Sequence, residues 1–194
     1  MRFRDDQAQR LPAQDPLTLG FGAIVRPRRG PRRWGKGSLA FVCLLTLGYS
    51  LLLNLSVVRG RSMAPGIHDG DRILVEPWLL AVDSVQRGDV VVLRSPLEPD
   101  LDYIKRVVGL PGEEVLVLGA SVWIDGELLK EPYAIPDHLG SHHWVHVPDG
   151  YYYVLGDNRP RSCDSREFGL VPADDLKGRV RWRVWPPERV GSLQ

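Results

Sequence analysis

The chain reads as an all-β domain of coiled antiparallel sheets preceded by one hydrophobic helix, and three observations predict it. Residues 38–58 carry no charge over 21 positions. Beyond them, short runs with strand character alternate with Gly- and Pro-containing turns. No amphipathic pattern long enough for a helix interrupts those runs. At 194 residues there is room for one core and an appendage, not for two large domains.

Charge divides the chain at the same place. Residues 1–37 hold nine Arg and Lys against three acids, which leaves the remainder at −5 within an overall +1. This segment is rich in Pro, Gly and Arg without apolar periodicity and is expected to be a disordered basic tail. Asp5, Asp6 and Asp15 speak against an organellar transit peptide. The asymmetry is too weak for a nucleic-acid partner, and no finger, homeodomain or RNA-binding signature accompanies it.

The run 38–58 is long enough to cross a hydrocarbon core of ~30 Å as a helix. It exceeds a signal-peptide core, and no small-x-small cleavage pattern precedes Arg59. Six of the nine tail cations lie between Arg26 and Lys36, which directs the amino end to the cytoplasm and the acidic bulk outside. The expected division is a cytoplasmic tail over 1–37, a transmembrane helix over 38–58 and an extracytoplasmic domain over 59–194.

Strands are predicted over 72–75, 89–93, 102–108, 114–118, 122–124, 144–147, 151–155 and 178–184. Turns at Asp69-Gly70-Asp71, Arg87-Gly88-Asp89, Leu110-Pro111-Gly112, Asp125-Gly126 and Pro148-Asp149-Gly150 separate them. Residues 110–149 read as a variable excursion from one unit. The apolar run 78–82 is open between a membrane-interface segment and a core element. Cys43 and Cys163 fall in unlike surroundings, so no disulfide is expected. His142, His143 and His146 lack the carboxylates or cysteines of a closed metal site, and neither metal nor cofactor is expected.

Lys105 is the anomaly. In the strand 102–108, Tyr103, Lys105 and Val107 share one face, while Ile104, Arg106 and Val108 share the other. A buried ammonium costs several kcal/mol unless it is paired or loses its proton. Apolar neighbours favour the neutral amine, and a neutral lysine is a general base. Ser62, in Gly60-Arg61-Ser62-Met63-Ala64-Pro65, sits at a glycine-entered corner and offers a hydroxyl. Alone it would be an ordinary turn serine. A polar loop over 156–169 follows the strand 151–155 and could satisfy buried charges.

These stretches together resemble the type I signal peptidases. The resemblance rests on four motifs in order: Gly60-x-Ser62-Met63-x-Pro65 with Ile67 and Gly70-Asp71; Arg87-Gly88-Asp89; Tyr103-Ile104-Lys105-Arg106-Val107-Val108-Gly109-Leu110-Pro111-Gly112; and Gly156-Asp157-Asn158-Arg159-x-x-Ser162-x-Asp164-Ser165-Arg166-x-x-Gly169. It covers about residues 38–187. It implies a membrane-anchored serine endopeptidase that removes signal peptides from exported preproteins after small residues, as in Ala-x-Ala. Ser62 would be the nucleophile, Lys105 the general base and Ser162 the hydroxyl that orients the lysine. Arg106 with Asp157, and Asp164 with Arg166, would be structural ion pairs.

The same resemblance implies a substrate strand between 58–60 and 102–104, along Gly60 and Asp102, with Met63, Ile67, Tyr103 and Ile104 around shallow apolar pockets. Relatives often carry a second oxyanion donor where this chain has Gly60. Arg59 and Gly66 stand where proline and threonine are common. Implied partners are secreted preproteins, the lipid bilayer and the export translocon. The implied location is a bacterial cytoplasmic membrane, single-pass, in preference to an organellar inner membrane, because Asn158-Arg159 looks like the bacterial form. Two alternatives are a catalytically silent membrane-anchored binding module and a LexA-like self-cleaving protease, the latter disfavoured by a hydrophobic run where a DNA-binding domain would stand.

Overall fold

A computed structural model describes residues 36–51, 54–77, 84–137 and 142–193. The basic tail up to residue 35 and the apolar run 78–82 lie outside the described residues. The chain divides into two compact units, Met1–Leu39 and Ala40–Gln194.

The N-terminal hydrophobic run is part helix and part strand. Helix α1 (Lys36–Leu51) has 16 residues, about 24 Å at 1.5 Å per residue. No helix among the described residues is long and apolar enough to cross a membrane. Asn54–Val57 is not a last helical turn but an edge strand, β1. It pairs antiparallel with β2 (Arg72–Glu76), from Asn54 opposite Val75 to Val57 opposite Arg72. The expected helix over 38–58 is therefore corrected. Polar Asn54 and Ser56 alternate with Leu55 and Val57, a period-two pattern that an absence of charge conceals. In α1, Phe41, Val42, Leu44 and Leu45 are exposed.

Ten further strands follow: β3 (Val90–Arg94), β4 (Asp102–Gly109), β5 (Glu114–Leu118), β6 (Ser121–Ile124), β7 (Glu127–Leu128), β8 (His142–His146), β9 (Tyr151–Leu155), β10 (Val171–Pro172), β11 (Leu176–Trp185) and β12 (Gly191–Ser192). The larger sheet runs β1-β2-β11-β3-β4-β9-β10, with β12 on β11. The smaller runs β7-β6-β5-β8, and every strand pairing is antiparallel. Register shifts along β11 and between β4 and β9 are bulges that bend and coil the larger sheet. Each of the eight predicted runs holds a strand.

Strand β4 is buried on both faces. On one side Val91, Leu93, Val107, Val154, Val171 and Leu176 form a core with partly buried Tyr103 against it. On the other, Ile104 packs on a core of Val58, Met63, Ile67, Ile73, Val75, Val90, Val92 and Val180. Farther along, Val108, Tyr153 and Leu155 meet Val115, Val117, Val122 and Ile124 of the smaller sheet. Burying each such side chain stabilises the fold by roughly 1.5–3 kcal/mol. A strand walled in on both sides can hold polar groups only with partners, and β4 carries Lys105 and Arg106 in its middle.

Candidate active site

The Ser62 corner is held from three directions. At its base, the Val58 N–H donates to Asp71 O at 2.8 Å and the Gly70 N–H to Val58 O at 2.9 Å, closing the loop that β1 and β2 enclose. Below it, Met63 and Ile67 are each 1% exposed and belong to the hydrophobic core. Beside it, Asn158 donates its backbone N–H to Ser62 O at 2.9 Å and its side-chain amide to Arg61 O at 3.1 Å. Gly60 enters the corner at φ +96°, a conformation costly for residues with a Cβ.

Lys105 comes from β4, opposite Val91 on β3. It is 4% exposed, and its Nζ donates to Ser62 Oγ at 3.1 Å. Its Nζ lies 5.1 Å from the centroid of the Tyr103 ring. Burial pushes its pKa below the ordinary lysine value, and Asp164 and Cys163 oppose that shift without reversing it. The next residue has the opposite fate. Arg106 Nε and Nη2 grip Asp157 Oδ1 and Oδ2 at 2.8 and 2.7 Å, and Nη1 donates to Gly88 O at 2.7 Å. Its guanidinium also lies 4.1 Å from the Tyr133 ring centroid. Burial works against the Arg106 charge, but the Asp157 bonds outweigh it and hold the group above its ordinary value.

The polar loop is fixed by a second pair. Asp164 caps the short helix α2 (Ser165–Phe168) through the Arg166 N–H. Its carboxylate takes Arg166 Nε at 2.8 Å and Nη2 at 3.0 Å, and the Gly156 N–H at 3.0 Å. Arg166 Nη2 reaches on to Arg159 O at 2.7 Å. Ser162, expected to bond the lysine amine, is 6% exposed and its Oγ has no hydrogen-bond partner among the described residues. It presses instead on Gly156: a Cβ built there would lie 2.1 Å from Ser162 Oγ and 2.7 Å from Ser62 O. Only glycine allows loop and corner to approach so closely.

A cleft of about 590 Å³ opens over the pair. Residues 56–62 form one wall and 101–105 the other, with Ile73, Val92 and Cys163 completing it. Gly60, Asp102, Tyr103 and Ile104 thus line the cleft. Met63 and Ile67 do not line it; they lie in the core beneath the corner. Asp102 is bound by Lys177 Nζ at 2.6 Å. The Gly60 N–H is committed to Asp69 Oδ1 at 2.8 Å. Among the described residues no group of three or more His, Cys, Asp or Glu side chains could hold a metal ion.

Sequence reasoning missed the clamp by Asn158, the close approach at Gly156 and the cleft position of Cys163. It also missed the buried pair between Arg159 and Glu131. The signal for the first two was a glycine directly after a strand, followed by two residues able to bond backbone. Nothing local announced Glu131, which is 28 residues away in sequence.

A model of the signal peptidase, peptidase S26 family matches residues 31–185. The chain is 34% identical over 164 residues to a signal peptidase I of Bacillus licheniformis, covering 79% of this chain and 88% of that one. The chain belongs to the type I signal peptidases. A signal peptidase IB of Staphylococcus aureus is 32% identical over 167 residues, 77% of this chain and 86% of that one. A solved signal peptidase I structure from Enterococcus faecalis, 33% identical, covers 50% of this chain and 97% of that one at a TM-score of 0.45. As a type I signal peptidase the chain is a serine peptidase that removes signal peptides.

Proposed function

We propose that Ser62 and Lys105 are a catalytic dyad that cuts preproteins after small residues in the pattern Ala-x-Ala, at the outer face of a bacterial cytoplasmic membrane. The observation that carries this reading is the 3.1 Å contact between Lys105 Nζ and Ser62 Oγ, made by a lysine whose burial favours the neutral amine. Ser62 Oγ attacks the scissile carbonyl while its proton passes to Nζ. The Ser62 N–H stabilises the oxyanion, and the proton then goes to the departing amine. Water, deprotonated by the regenerated neutral amine, releases the acyl group. Ser162, a buried hydroxyl with no hydrogen-bond partner among the described residues, is the group we assign to hold the amine once Ser62 is acylated.

Substrate lies extended between the two cleft walls, pairing as an added strand. Side chains one and three places before the cut point into the cleft, whose apolar floor includes Ile73 and Val92. Attachment to the bilayer is supported by the uncharged run 38–58, the basic tail before it and the exposed apolar side chains of α1. The test is cleavage of a preprotein with an Ala-x-Ala site in detergent. Ser62→Ala and Lys105→Ala should each lower kcat by about 10³-fold or more. Undiminished cleavage by either variant would sink the dyad.

A further inference from the structure

Two arginines in the cleft wall are not spoken for. Arg59 and Arg61 flank Gly60, are exposed and line the cleft beside Ser62. Neither guanidinium has a hydrogen-bond or ion-pair partner among the described residues. Elsewhere this chain pairs its site arginines closely: Arg87 with Glu113, Arg106 with Asp157, Arg159 with Glu131 and Arg166 with Asp164. The acid on the facing wall, Asp102, is neutralised by Lys177 at 2.6 Å. Asp69 Oδ1 is engaged by the Gly60 N–H. The Gly60 N–H leaves the Asp69 charge in place, so Arg59 and Arg61 together give the rim of the cleft next to the nucleophile an excess of positive charge.

We infer that Arg59 and Arg61 select an acidic side chain at the second position before the cut, so that Ala-Asp-Ala or Ala-Glu-Ala is preferred over Ala-Lys-Ala. The inference rests on the substrate geometry proposed above. Ser56 and Val58 are more buried than Val57 and Arg59, so successive side chains over residues 56–59 of this wall point in and out of the core. A substrate strand laid along it must alternate in the same way. Its first and third residues before the cut face the buried base of the cleft, beside Val58, and the second faces its open rim, where Arg59 is exposed. Opposite charges that face each other on neighbouring strands attract, and like charges repel. Arg61 adjoins Ser62 and adds its field at the scissile bond.

The expected size is modest because these groups are solvated. Two exposed pairs, each attractive with Asp and repulsive with Lys, amount to roughly tenfold in kcat/KM between the two substrates at low salt, and to less at high salt. The experiment uses the full chain in neutral detergent, where no anionic headgroup competes, with three peptides identical except for Asp, Asn or Lys at that position. The native protein should rank them Asp, Asn, Lys. In Arg59→Ala/Arg61→Ala the ratio of Asp to Lys should collapse to about twofold or less, and in Arg59→Glu/Arg61→Glu it should invert. Equal cleavage of all three by the native protein, or a ratio that survives the double alanine variant, overturns this inference alone. Cleavage of none of them overturns the proposed substrate reading and this inference with it.

Discussion

Removing the carboxylate of Asp157 should damage both stability and the corner that carries Ser62. In the native fold Arg106 makes two charge-assisted bonds to Asp157, at 2.8 and 2.7 Å, with both side chains nearly out of solvent. Asp157→Ala leaves the guanidinium with Gly88 O and the Tyr133 ring only. Breaking one partner of such a pair costs about 3–5 kcal/mol, and the ring offsets roughly 1 kcal/mol of that. For a domain of this size each kcal/mol lowers Tm by about 2–4 °C, so a fall on the order of 10 °C is expected. Arg106→Met with Asp157→Leu should recover most of it, since replacing both partners by apolar groups removes the unpaired charge. Thermal unfolding of the full chain in detergent measures the native protein, Arg106→Met, Asp157→Leu and their double variant, the four corners of the cycle, with Asp157→Ala beside them. Asp157→Ala within about 1 kcal/mol of native, or additive single changes, would refute the buried pair as the brace of this loop. Activity gives a second reading, because Asn158, the next residue, holds Ser62 O at 2.9 Å.

Gly156→Ala should cost kcat at least about tenfold, because its Cβ would meet Ser162 Oγ at 2.1 Å and Ser62 O at 2.7 Å, and misplacement by an ångström suffices. Gly109→Ala, whose Cβ would lie 2.5 Å from Val115 Cγ2, is the control: a comparable clash in the core between the sheets, with a loss of Tm but a smaller loss of kcat. Steady-state kinetics well below both melting points separates them. Lys105→Met should stabilise the fold, and more so at low pH. The native pKa of Lys105 lies below the unfolded value near 10.5, so the unfolded state binds more protons between the two values and stability rises with pH there. The Tm advantage of the variant should therefore be largest below the native value and shrink toward pH 10.5. An advantage independent of pH would contradict it.

The β architecture was legible because its strands are long enough to alternate and its turns carry Gly beside Asp or Pro. What escaped is short or masked by another signal. β7, β10 and β12 have two residues each, too few for any period. β1 hid in an uncharged run that reads as helix, although Asn54 and Ser56 already alternate with apolar neighbours. Within the site, the opposite surroundings of Lys105 and Arg106 followed from strand alternation alone, since adjacent residues must face opposite sides. Met63 and Ile67 could not be assigned that way. The corner they occupy has no period, and whether they wall the cleft or floor the core depends on Asn158 and Gly156, more than 85 residues away. Ser162 shows the same limit: its place beside Gly156 is a matter of packing, and its lack of a bond to the amine is not written in its type.

The most direct measurement is the titration of Lys105 itself, followed by NMR of the isotopically labelled side-chain amine in the full-length Ser62→Ala protein, in detergent. If Lys105 is the general base, its amine titrates clearly below the ordinary lysine value, and the rising acid limb of kcat/KM in the native protein falls at a similarly depressed pH. An amine that titrates at the ordinary value, with an acid limb unrelated to it, would contradict the neutral-lysine mechanism.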